Sequence, residues 1–118
     1  MSVGEFVGGL LHAVTVAHIF HLKEKSYARH MALGDFYDAL GDKVDDLAEC
    51  YQGCYGLIDD WPTSLEVPDG DPLEWLRGLS REMDTGRKSL GEDTELQNLA
   101  DEIQALIDRA VYKVSFLG

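Results

Sequence analysis

From Ser26 to Tyr55 the chain reads SYARHMALGDFYDALGDKVDDLAECYQGCY, thirty residues without a proline. Met31, Leu33, Phe36, Tyr37, Leu40, Val44, Leu47, Ala48 and Tyr51 recur in it at three- and four-residue steps, the period of one apolar helix face. The spacing predicts a helix over about 26–55, roughly eight turns long. Asp59-Asp60-Trp61-Pro62 ends any helical run, and the stretch to Gly70 has two prolines and no period. It reads as a connection of about 12 to 15 residues, long enough to span the length of a bundle.

The remaining helices follow outward from this one. Leu10, Leu11, Val14, Ala17, His18 and His21 predict an amphipathic helix over about 5–24, with imidazoles on its inner stripe. Asp71 as N-cap, Pro72 at the first helical position and Glu74 completing a capping box open a short helix over about 72–85, with Gly86 as its stop. Thr94 and Gln97 suggest a second capping box, and Leu96, Leu99, Ile103, Leu106, Ile107, Ala110, Val111 and Val114 carry a helix over about 94–116. No strand pattern competes. Residues 1–118 are thus expected to form one all-α domain, a four-helix bundle whose long crossover joins the second and third helices, which is the ferritin-like arrangement.

Composition bounds the function. Of 118 residues, 45% are apolar and 27% charged, as in an ordinary globular chain of one domain. Ten basic residues against 22 acidic ones give a formal charge of −12, which repels polyphosphate and anionic lipid. Neither nucleic acid nor a membrane is an expected partner. The apolar stretch from Phe6 to Phe20 is broken by Gly8, Gly9, His12, Thr15 and His18, and Glu5 stands where an export signal carries positive charge. Cys50 and Cys54, four apart on one helix, are too distant for an unstrained disulfide. A cytoplasmic location is expected on these grounds. No phosphate-binding, dinucleotide or nucleophile-elbow motif is present.

The chemistry sits in the first half. All four histidines, His12, His18, His21 and His30, precede Met31, and the long helix then supplies Asp35, Asp38, Asp42, Asp45, Asp46 and Glu49. A divalent ion needs three or more such donors converging at about 2.0–2.2 Å. His18 and His21, three apart, and Asp45 and Glu49, four apart, are each pairs on one helix face. His30 lies fifteen residues before Asp45, roughly 22 Å along the same axis, so the two can share an ion only across a two-fold axis between antiparallel second helices. His12 is expected to be structural; buried or interfacial hydrogen-bonding histidines are the other reading of His18, His21 and His30, and an exposed acidic face is that of Asp45 and Glu49.

The segment from His30 to Glu49 resembles the second helix of the Dps family of mini-ferritins, matching at His30, Phe36, Ala39, Leu40, Asp42, Asp45, Ala48 and Glu49. The resemblance implies a homo-oligomer, dimeric at least, that binds iron or another divalent metal between a histidine of each of the first two helices and the Asp45 and Glu49 of a two-fold mate. It also implies oxidation of ferrous iron there. A gapless match puts His18 in the first-helix role, and a turn shorter by three residues puts His21 there. Gly34 stands where the family has an aspartate, so one carboxylate is missing. The chain is also similar to small phage proteins through His21, Tyr27-Ala28-Arg29-His30 and Glu49-Cys50-Tyr51-Gln52-Gly53. That likeness implies a non-catalytic interaction, sequestering or virion protein, placed in the host cytoplasm or the particle.

Overall fold

The computed structural model describes residues 1–118. It is all-helical, with α1 Val3–Lys23, α2 Tyr27–Tyr55, α3 Pro72–Gly86, a single 3-10 turn over Arg87–Leu90, and α4 Thr94–Phe116. Each helix lies within two residues of its expected bounds. α1 starts earlier than expected because Ser2 caps it: the Ser2 hydroxyl accepts from the Glu5 amide at 3.1 Å and the Glu5 carboxylate accepts from the Ser2 amide at 3.2 Å. Ser26 caps α2 through the Arg29 amide at 3.3 Å. Gly56, at φ 92°, ends α2 in a conformation that side chains disfavour, and Gln52 accepts from the Ile58 amide at 3.1 Å to start the crossover.

Both capping boxes expected in the second half are absent. Asp71 caps nothing with its side chain and instead pairs with Arg29 at 3.5 Å. The N-cap of α4 is Asp93, so Thr94 is already helical. Gln97 turns to the preceding segment, donating to the carbonyls of Arg87 and Gly91 at 2.9 and 2.8 Å. In return Arg87 donates to the Gln97 side chain at 2.8 Å and to its backbone carbonyl at 2.9 Å. Local pattern loses here to tertiary partners that satisfy more groups. Gly86 does end α3, but in ordinary right-handed conformation and beneath the Phe6 ring.

α1 packs on α2, α2 on α4 and α4 on α3, while α3 meets α1 through a much thinner contact. Contacts at the ends fix the directions. Gly86 lies under Phe6, Tyr55 reaches Asp93, and Gly118 lies against Arg29. α1 therefore runs up, α2 down, α3 down and α4 up, with the crossover climbing the full length between α2 and α3. It climbs on α1. Gly4 faces Asp60, Gly8 faces Pro62, and His12 Nε2 donates to the Glu66 carbonyl at 2.5 Å, one helical turn apart each time.

All four helices feed one apolar core, from Phe6, Leu10 and Phe20 through Leu33, Leu40 and Leu47 to Met83, Leu96, Ile103 and Val114, and it holds no buried polar or charged residue. α1 is long and apolar enough by length and composition to cross a membrane. Its seven core side chains, Phe6 to Phe20, account for that apolarity within the bundle. Trp75 closes one edge of this core against Phe20 and Phe36, with ring centroids 5.6 and 6.4 Å away. Both cysteines are free.

Candidate functional site

The three-residue turn Glu24–Ser26 sets the last turn of α1 beside the first of α2, and this brings His21 onto His30. Their rings stack with centroids 3.7 Å apart and planes 19° apart. His21 Nδ1 lies 2.6 Å from the His30 carbonyl, and His30 Nδ1 lies 2.7 Å from the His21 carbonyl. A carbonyl only accepts, so each Nδ1 carries the hydrogen, and Nε2 is the ring nitrogen open to a ligand. A backbone carbonyl that fixes a tautomer in this way is a usual companion of metal-binding histidine. Both residues are half-buried.

His18 is not on the inner stripe expected for it. It is exposed, stacked on Tyr37 at 4.2 Å with planes 11° apart, and its ring centroid is 6.0 Å from that of His21. Tyr37 also meets His21 edge-on at 5.4 Å. The ring level with His30 is therefore that of His21, and His18 stands one turn away. Gly34 explains itself in the same place: a Cβ there would come 3.0 Å from His21 Cε1 and 3.1 Å from its Nδ1. The imidazole fills the space that a carboxylate side chain at this position needs.

Asp45 and Glu49 lie on the exposed face of α2 with Asp38, Asp42 and Asp46, and none of the five takes part in an ion pair. Within one chain they do not approach the histidines. No three donors of the set His18, His21, His30, Asp45 and Glu49 lie within ligand reach of one another. The group that does is Cys54, Asp93 and Glu95, at the opposite end of the bundle, with ligand atoms within 4.8 Å. There the Cys54 thiol donates to Glu95 at 3.6 Å and the Tyr55 hydroxyl donates to Asp93. Desolvation first, then the Glu95 hydrogen bond and charge, raise the Cys54 thiol above its ordinary value, so its sulfur is a poor thiolate. The bond to Asp93 is the main cause that pushes Tyr55 up to about 12. Spacing gave no signal of this group, because Cys54 lies 39 and 41 residues from Asp93 and Glu95.

His12 has the structural role expected, holding the crossover through Glu66. No curated protein and no solved structure matches the chain. A family pattern matches residues 21–114, taking in His21, His30, Asp45 and Glu49 and leaving out His18 with most of α1. On that match, over most of its length, the chain belongs to the family of unknown function DUF5856.

Proposed function

We propose that the chain is a ferritin-like bundle of Dps type that self-associates through antiparallel α2 helices and holds iron or another divalent ion at the two-fold interface. His21 and His30, with His18 beside them, supply nitrogen from one copy, and Asp45 and Glu49 supply oxygen from the other. The observation that carries this reading is the reciprocal Nδ1–carbonyl bonding of His21 and His30, which leaves both Nε2 lone pairs free for a ligand. The up, down, down, up course with its long crossover is consistent with ferritin-like topology. Charge supports it too. Antiparallel α2 helices would bring two unpaired acidic faces together, and a cation beside Asp45 and Glu49 offsets that repulsion. Nitrogen-rich donor sets suit iron or zinc, and iron in such a site implies oxidation of the ferrous ion as substrate.

The test is anaerobic addition of ferrous iron followed by air, alongside metal analysis and the oligomer mass of gently purified protein. The expected result is a dimer or larger assembly, with a ferric absorbance rise that Glu49→Ala and His30→Ala abolish. Glu49 is exposed, so its replacement leaves the fold intact. A monomer at micromolar concentration, or protein that takes up no metal, overturns the proposal.

Gly34 favours a second reading: the same bundle without iron oxidation, as a phage-type interaction or sequestering protein, since His21 leaves no room for a fourth-position carboxylate. Metal uptake without a ferric rise, or a small molecule that co-purifies in native mass spectrometry, is its signature. A clean apo mass under gentle conditions counts against sequestering.

A further inference from the structure

The seam between α1 and α3 is the one edge of the bundle that does not close. α1 and α2, α2 and α4, and α4 and α3 interlock along their lengths, whereas α1 and α3 touch thinly and the crossover runs outside the gap. A cavity of about 320 Å³ remains there, between α1, α3 and crossover residues 65–68. Val16, Leu65, Pro68 and Leu79 make it apolar, and Trp75 forms a wall. A smaller hollow of about 30 Å³ continues from it along Gly9, Leu79 and Glu82 toward Glu5 and Met83.

Carboxylates predominate in this cleft. Its titratable groups are Glu66 and Glu82, with Glu5 and the Met1 ammonium on the continuation, and His12, whose Nε2 hydrogen is already given to the Glu66 carbonyl. No lysine or arginine lines either part. An apolar cleft with few convergent polar groups is the usual form of a small-ligand site. Two glutamates and a tryptophan among the lining residues favour a cation over an anion, through Coulomb attraction and through the quadrupole of the indole ring.

We propose that this cleft binds a small organic cation, an ammonium on a compact aliphatic or aromatic body. The body lies against Val16, Leu79 and Trp75 and the ammonium is directed to Glu82. This site is independent of His18, His21 and His30 and of any metal they hold.

The test uses Trp75 as reporter in a Trp61→Phe background, since these are the chain's two tryptophans. Cyclohexylmethylammonium and cyclohexanecarboxylate share a body and differ in charge. The expected result is a saturable change in Trp75 fluorescence with the amine and a dissociation constant at least tenfold weaker for the acid. Glu82→Gln, at an exposed position, should weaken the amine several-fold and narrow its advantage. Gly9→Leu fills the cavity: a Cβ at Gly9 meets nothing within 4 Å, and leucine favours the helix. It should abolish binding while stability holds or rises. Equal binding of acid and amine, binding that survives Gly9→Leu, or no saturable change at millimolar amine each overturns the proposal.

Discussion

At the scale of single residues, the exchange between His21 and His30 has a worth that does not depend on any ligand. His21→Ala removes one of the two hydrogen bonds, leaves the His30 carbonyl without its ring donor and unstacks the pair. The expected loss is about 1–3 kcal/mol, read from urea denaturation at unchanged slope. Gly34 is coupled to it. Alanine in a helix interior gains about 1 kcal/mol over glycine, but here its Cβ presses on a ring that is held by its hydrogen bond to the His30 carbonyl and by stacking on the His30 ring. Gly34→Ala should stabilise the His21→Ala protein by about 0.5–1 kcal/mol and fail to do so in the parent, a difference that a double-mutant cycle measures. The histidines were legible in the sequence as a set. Their pairing was not, because it depends on how few residues the turn after α1 uses, and Glu24, Lys25 and Ser26 carry no pattern that states a length.

Tyr55 gives a pH test at the same scale. Its folded value of about 12 lies above the value near 10 of an unfolded tyrosine, so the native state holds the phenolic proton more tightly. The stabilisation is fully present below pH 10 and is lost as pH rises from 10 through 12. Stability measured across that window should fall less steeply in Tyr55→Phe than in the parent, and a tyrosinate absorbance titration should lose its last step.

Among the elements, the crossover is held by absence of side chains as much as by contacts. Gly8 brings Pro62 so close that a Cβ would sit 2.6 Å from the proline ring, and Gly4 does the same for the backbone of Asp60. Gly8→Ala therefore lifts the crossover from α1 and should destabilise by about 1–3 kcal/mol, with faster proteolysis within 57–71. Gly41→Ala is its control. It lies in α2 with open space around its Cβ, and should stabilise by about 0.5–1 kcal/mol. The length of the crossover was readable from Pro62, Pro68 and the missing period, but its seat on α1 was not. Gly8 reads in the sequence as an interruption of an apolar run and Gly4 carries no signal, when together they are the groove that receives another segment. The capping boxes at Asp71 and Gln97 misled for a related reason. Arg29 and the Arg87 carbonyl are distant in sequence and compete for the same side chains.

For the whole molecule, helix order, direction and core followed from periodicity, since every long apolar stripe found a partner. The acidic face of α2 is the exception, and in the proposed dimer its unpaired charge would have to be offset. Without a bridging cation, self-repulsion of these faces is strongest at low ionic strength. If the proposed interface forms, a chelator should shift sedimentation or light scattering toward monomer, and added salt should partly restore the assembly.

The two hairpins are sealed at opposite poles, α1–α2 by the interlocked imidazoles and α3–α4 by the Arg87–Gln97 exchange, each pairing a side chain with the other's backbone. Each half thus carries its own clasp, and one covalent strap joins them. A protein nicked between Thr63 and Ser64 should survive as two associated fragments, and separately made pieces 1–63 and 64–118 should recover the helical circular dichroism of the intact protein when mixed.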